Sequence, residues 1–476
     1  MHHKKILSTL TAVSIKLPIL ILLTLILGVG LAAAIPQAHQ GPILPIADGY
    51  GKWGDHPIAA PETFQMVSNT FTNTVTLYYP SDQIAPAPTL FFAVGWGVSC
   101  DGYAEFLRFF ASKGYTAVCD DYGEDISEIG PQLNELFLEA ASRYPNRIDT
   151  SQFGLAGHSS GAGLLPSIGY NLIVNHGWGG TDGQNAFIFS SAPWFDFDMT
   201  DFILANYPTG VKLILHTYED DTSTDLRTYI DQFESLSRIP DTEKEYITLR
   251  TSSYDGYTYA TDHRLIATGG DGYGVFDAMD DYGVFRLADA LADYTFNGSA
   301  AGKLVALGDG IEQQIEMGML RDLVSTDDPR PVPGAMYDFA CDVSANPRQA
   351  HCDDYDDELP AANLILPVKH VVPNEESPTF SWESSPTATD YFLQLRPLLP
   401  SGDPDWTVSY GESVTAVSAN CAGGTITCVH IISASLPNGS YVWWILPSNT
   451  TIDGVWSRRG YFQKGWQLYL PSIIFE

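Results

Sequence analysis

Up to Val324 the chain alternates two patterns. Short runs that are mostly apolar give way to longer stretches in which apolar residues recur every three or four positions. The runs "TVTLYY", "TLFFAVGWG", "YTAVC", "FGLA", "NAFIFSSA", "VKLILH" and "EYITL" read as strands. Between them, "DGYAEFLRFFASKG" carries Tyr103, Phe106, Leu107 and Phe110 in helical register, and Gly114 stops it. Further helices are expected from Ile126 to Tyr144, after Gly161, around Leu226, Tyr229, Ile230 and Phe233, and around Val284, Leu287, Ala288 and Leu291. Strands alternating with helices predict parallel βαβ units: an α/β domain over 62–324, with a mostly parallel sheet and helices on both faces.

The periodicity then changes. Pro-rich and acidic text over 325–365, with "DDPRPVPG" and "HCDDYDDELP", reads as a linker. The acidic run lacks the spacing and glycine of an EF-hand loop and is expected to be solvated rather than metal-binding. From 366 to 465, "PTFSWESS", "DYFLQLRP", "GSYVWWILP" and "GYFQ" are short, aromatic and separated by turn residues, which predicts a small all-β sandwich. Residues 35–61 form a Pro- and Gly-rich lead and 466–476 a C-terminal tail.

The N-terminus bears on the compartment. Lys4, Lys5 and Lys16 accompany the apolar run "LPILILLTLILGVG", which is followed by Ala32, Ala33 and Ala34. That order of charge, apolar core and small residues predicts a signal peptide over 1–34 and a secreted protein. An uncleaved membrane anchor is the alternative, because a span needs about 18 apolar residues. Six cysteines, an even count in an exported chain, suggest disulfides, and proximity favours Cys100 with Cys119, Cys341 with Cys352, and Cys421 with Cys428. A net charge of -33 excludes nucleic acid as a partner, since phosphate backbones require clustered Lys and Arg.

Candidate chemistry sits in "IDTSQFGLAGHSSGAGLL". Gly157, Ser159 and Gly161 form G-x-S-x-G between a predicted strand and a predicted helix, where a sharp turn pushes the middle serine outward. A serine hydroxyl needs a base, and the base needs an orienting carboxylate. In this architecture the acid and then the histidine follow the serine along the chain. "VKLILH" ends in "TYEDDTSTD", which offers Glu219, Asp220 and Asp221 at the carboxyl end of a strand; the following Thr and the loop length favour Asp221. Between Asp221 and the linker cysteines stands one histidine, His263. His158 beside the nucleophile points another way, and His216 reads as structural. The oxyanion of an acyl-transfer intermediate needs two N–H groups. Ser160 supplies one, and Trp96, flanked by Gly95 and Gly97, the other; Trp96 would also wall the acyl pocket.

Together these residues resemble the α/β-hydrolase superfamily, and within it the secreted bacterial lipase, cutinase and polyester hydrolase group (dienelactone-hydrolase-like). The resemblance covers about Val75 to Phe296 through "VTLYYP", "GHSSG", "APW" and "EDDT". It implies that Trp194 lines the ester-binding cleft and that Asp221 is the catalytic acid. The chain departs from that group at Ser160 and Ala162, in the "VGWG" loop and in "DHR" around His263. The tail resembles a fibronectin type III-like sandwich through "FSW" at Trp382, which would pack beneath Gly439, Tyr441 and Trp443. The expected activity is hydrolysis of carboxylic esters, soluble, polymeric or lipid, by Ser159, His263 and Asp221 without a cofactor. A peptidase or amidase on the same residues, or a non-catalytic surface-binding protein, are the alternatives, and the sandwich is the expected place for surface or polymer contact. N-terminal sequencing of the exported protein is expected to begin near Ile35; a start at or before Lys16 would leave the anchor reading.

Overall fold

Strands that lie inside a sheet covered on both faces are apolar at most positions, and the runs read above fold in that way. The computed structural model describes residues 38–465, apart from 68–71, 123–128, 270–273, 332–334, 356–358, 360–361, 374–376, 400–403, 423–426, 451–453 and positions 328, 330, 369, 406, 455 and 458. The expected signal segment 1–34 and the tail 466–476 lie outside the described residues, within which no helix is long and apolar enough to cross a membrane.

The large sheet contains β1 (Glu62–Val67), β2 (Thr72–Tyr78), β3 (Ala87–Ala93), β4 (Thr116–Asp121), β5 (Ile148–His158), β6 (Ala186–Ser191), β7 (Lys212–Tyr218) and β8 (Lys244–Leu249). A small hairpin of β9 (Ser252–Tyr254) and β10 (Tyr257–Tyr259) follows, and β11 (Val324–Thr326) returns to the sheet. The nine strands lie in the order β1-β2-β4-β3-β5-β6-β7-β8-β11. Pairing is parallel from β4 to β8 and antiparallel at β1–β2, β2–β4 and β8–β11, so the sheet is mixed. The sequence reading did not single out β1 as a strand, and it put Ser325 and Thr326 in the linker; both strands are edges, with one partner each and little periodicity.

Helices cover both faces because side chains alternate along each strand. On one side α1 (Ala104–Ser112) packs Phe106, Leu107 and Phe110 against Phe92 and Phe189. On the other, α2 (Ile129–Arg143) packs Leu133, Leu136 and Phe137 against Phe91 and Phe153. The helix expected after Gly161 is broken into α3 (Ser159–Gly163) and α4 (Leu165–Tyr170), with Pro166 at the break, where it has no N–H to give to a continuous ladder. Next come the short α5 (Asp201–Ala205), α6 (Leu226–Ser235) on the α2 side, and α7 (Arg286–Asn297) on the α1 side.

The all-β region holds two sheets. One is ordered β12 (Leu364–Leu366), β14 (Thr379–Glu383), β17 (Thr427–Ile431). The other runs β13 (His370–Val372), β19 (Gly460–Lys464), β18 (Gly439–Ser448), β15 (Asp390–Pro397), β16 (Tyr410–Thr415). Trp382 and Trp443 are fully buried between them. In the same buried cluster as Tyr441, the Trp443 ring meets Phe380 edge to face at 4.8 Å and Trp382 meets Tyr391 at 5.3 Å. The three disulfides are Cys100–Cys119, Cys341–Cys352 and Cys421–Cys428, the pairings favoured by proximity.

The described residues from Ala38 onward belong to one compact unit, and a charge network joins its two parts. Glu383 on β14 accepts from Arg250 Nη1 at 2.6 Å, Arg321 Nη2 at 2.9 Å and Asn363 Nδ2 at 3.1 Å. Arg321 also reaches Glu219 at 3.0 Å, in the loop that follows β7. Burial alone would raise the Glu383 carboxyl, but Arg250, Asn363 and Arg321 hold it below its ordinary 4.5. A lowered carboxylate contributes stability above its unfolded value and loses it as pH falls through the folded value. Glu383→Gln is therefore expected to cost about 1–2 kcal/mol at pH 7 in urea unfolding, the pair being only partly buried. The difference from the parent should close as the pH falls below 4.5; an equal midpoint at pH 7 would remove the network from the account of stability.

Candidate active site

Parallel strands present their carboxyl ends on one edge of a sheet, and there the loops after β3, β5, β6, β7 and β8 meet. At the end of β5 the chain turns into α3 through Ser159, whose φ is 54°, a left-handed conformation that non-glycine residues rarely adopt. The turn is held by close packing. A Cβ on Gly157 would lie 2.9 Å from the Ala93 carbonyl oxygen, and one on Gly161 would lie 2.3 Å from the Val94 oxygen. Both glycines are required because the end of β3 presses on the turn. On the far side Trp194 donates its backbone N–H to the Ser159 carbonyl at 2.9 Å.

The structure brings Ser159, His263 and Asp221 together. Ser159 Oγ lies 3.0 Å from His263 Nε2, and His263 Nδ1 lies 2.8 Å from Asp221 Oδ2. The Asp221 side chain is inaccessible to solvent and the imidazole is 17% exposed, so the relay opens outward at its serine end. Asp221 Oδ2 also accepts from the Tyr229 hydroxyl at 3.0 Å, and Oδ1 from the Ser223 amide at 2.8 Å. Burial alone would raise this carboxyl; the hydrogen bond and charge of His263, with Ser223 and Tyr229, bring it below its ordinary value. An acid in that state stays ionised and fixes the imidazole with Nδ1 protonated and Nε2 free to accept from Ser159. The neighbouring acids have other tasks. Asp220 accepts from Thr251 Oγ1 at 2.5 Å, and Glu219 accepts from the Thr251 amide at 3.1 Å as well as from Arg321.

Trp96 lies on the loop after β3, half exposed, between Gly95 and Gly97, the latter with φ of 74°. Val98 donates to the Gly95 carbonyl at 3.0 Å and closes the turn. Ser160 is buried in the first turn of α3, its hydroxyl 2.6 Å from that of Tyr122, which in turn bonds the Val94 carbonyl at 2.8 Å. Elbow and Trp96 loop are thereby tied through one tyrosine. Trp194 packs among Phe195 at 4.4 Å, Phe197 at 5.5 Å and Phe339 at 5.2 Å.

Phe339 comes from the segment read as a linker. It runs parallel to the acid loop: Asp338 donates to Thr222 O at 3.0 Å, Phe339 to Ser223 O at 2.8 Å, and Asp225 to Phe339 O at 3.2 Å. The Cys341–Cys352 disulfide closes a loop within the same segment, and the Arg348–Asp231 pair, at 2.5 and 2.8 Å, fastens it to α6. No local pattern marks Phe339, because its role follows from a non-local pairing. His216 is fully buried beside Phe189, and burial pushes it down to about 3, which keeps it uncharged. His158 is turned inward, away from Ser159 Oγ, toward Tyr103 and the backbone of His263. Tyr103, Tyr122 and Tyr229 were also missed, since isolated aromatics in a core-forming pattern carry no sign of a polar task.

Among the described residues no group of three or more His, Cys, Asp or Glu side chains is placed to hold a metal ion. No family model matches the chain, and no curated protein is significantly similar to it. The close approach at the elbow makes a direct prediction. Gly161→Ala should destabilise the protein by about 1–3 kcal/mol through forced displacement of the β3 end; thermal unfolding at the parent's midpoint would show that the backbone yields without cost.

Proposed function

We propose that this protein is a serine hydrolase that cleaves carboxylic esters outside the cytoplasm, on the α/β-hydrolase plan that the sequence resembles. The observation that carries the reading is the relay of 3.0 and 2.8 Å from Ser159 through His263 to Asp221, built on a left-handed turn between strand and helix. The chain order of serine, acid and histidine supports it. Three disulfides suit an oxidising compartment.

In this mechanism Ser159 Oγ attacks the ester carbonyl while His263 Nε2 takes its proton. Asp221 remains ionised and stabilises the imidazolium. The amides of Trp96 and Ser160 receive the developing oxyanion, and His263 returns the proton to the leaving alcohol. Water then attacks the acyl-enzyme, with His263 as base again, and releases the acid. The indoles of Trp96 and Trp194, with Phe339 behind the latter, supply an aromatic wall for the acyl or alcohol part of the ester. The preference within esters belongs to the same proposal: exposed ester bonds of lipids or polyesters, with the all-β region available for contact with their surface.

Hydrolysis of p-nitrophenyl acetate, butyrate and decanoate by the purified protein tests the reading, beside Ser159→Ala and His263→Ala. The parent is expected to turn over, and each variant to lose about four powers of ten or more in kcat. A folded parent without turnover, or variants equal to it, would overturn the reading in favour of a surface-binding protein. Faster cleavage of the matching anilides would move it to an amidase.

A further inference from the structure

His158 has no part in the relay, yet it is 3% exposed and both ring nitrogens are engaged within the site. Its Nδ1 lies 2.9 Å from the Tyr103 hydroxyl, and its Nε2 lies 2.7 Å from the backbone carbonyl of His263. The Tyr103 hydroxyl also accepts the backbone N–H of Gly95 at 2.9 Å. Only one arrangement of protons satisfies every member. The carbonyl of His263 can only accept, so Nε2 carries the hydrogen; Nδ1 is then an acceptor, and Tyr103 donates to it while receiving Gly95. The result is a directed chain from the Trp96 loop, through Tyr103 and His158, to the backbone of the residue opposite the nucleophile.

The fit is tight. A Cβ on Gly95 would lie 2.8 Å from His158 Nδ1 and 3.0 Å from the Tyr103 hydroxyl. The rings of His158 and His263 are 4.8 Å apart, and Tyr103 is itself packed on Phe92 at 4.6 Å. His158 immediately precedes Ser159, so this chain fixes both the Trp96 loop and the His263 loop to the elbow. The two loops leave different strands, and β5 lies between them at the elbow.

We propose that His158, supported by Tyr103, is a positioning residue that sets the placement of the Trp96 amide and of the His263 imidazole relative to Ser159 Oγ. The proposal rests on the ester-hydrolase reading above. Burial, with the adjacent His263 next in weight, pushes His158 down to about 3, against the opposing pull of the His263 carbonyl bond and Asp221. It therefore stays neutral while His263 gains and loses its proton, and neither competes for that proton nor breaks the chain. An apolar ring of similar shape would fill the space but remove the bonds that the His263 carbonyl and the Tyr103 hydroxyl make to His158. A glutamine retains one donor and one acceptor.

The test compares the full-length parent with His158→Phe, His158→Gln and Tyr103→Phe on p-nitrophenyl butyrate, with kcat and KM separated and the folded fraction measured by circular dichroism. His158→Phe is expected to lower kcat about 10- to 100-fold with KM little changed, the size of effect that small misplacement of reacting groups produces. His158→Gln should recover most of the loss. Tyr103→Phe should lower kcat in the same sense, and Tyr103→Phe with His158→Phe should lower it by less than the product of the two, because both break one chain. An active parent whose His158→Phe variant keeps its kcat, or whose His158→Gln variant is no better than His158→Phe, overturns the positioning role alone. A fall in activity only in step with folded fraction also overturns it. If His158→Phe does not fold, Tyr103→Phe decides, and a parental kcat there overturns the proposal. An inert parent removes the ester-hydrolase reading and this one with it.

Discussion

The site depends on a contact between backbones. Ser159 is held left-handed because the carbonyls of Ala93 and Val94 lie so close to Gly157 and Gly161 that neither position admits a Cβ. The end of β3 therefore shapes the elbow from below while also launching the loop that carries Trp96. A single close approach places the serine hydroxyl outward and brings the candidate oxyanion loop beside it. Strain of this kind persists only where the surroundings over-determine it. Here the Trp194 amide, the Ser190 hydroxyl on Ala162 O at 3.1 Å, and the Tyr122 bonds all restrain the same turn.

Around that turn Asp221, His158 and Ser160 each find hydrogen-bond partners, several of them from distant parts of the chain. Asp221 is met by His263, Ser223, Thr224 and Tyr229; His158 by Tyr103 and His263; Ser160 by Tyr122. In a low-dielectric interior an unmet group is costly, so such networks favour one arrangement over near alternatives. The acid loop is restrained from two further sides. The segment at Phe339 pairs with residues 222–225, and Glu219 joins Arg321 and Glu383 in the link to the all-β region. What the sequence pattern separates as linker and appended module is thus continuous with the framework of the site.

Composition and periodicity carried much of this. Buried runs and helical spacing are local properties, so the alternation of strands and helices could be read directly, as could the change to aromatic, turn-separated text near Leu366. G-x-S-x-G between a strand and a helix has a steric reason that a reader can supply without coordinates. His263 was reachable by elimination, since the chain offers one histidine in the required interval, and the disulfides by proximity. Asp221 was separable from Asp220 only by a preference, and the structure separates them by partner: imidazole for one, Thr251 for the other.

The amino-acid sequence by itself determined which segments must be buried, where the sharp turn falls and which residues are chemically able to act. Tertiary structure decided the rest. It alone made β11 an edge strand, turned His158 inward onto the backbone of His263, set Phe339 against Trp194, and set Phe380 against Trp443. Each of these joins residues far apart along the chain, and such a pairing is selected by the packing of whole elements and the need to satisfy buried hydrogen bonds. No window of sequence contains both partners, so no local pattern can encode the choice.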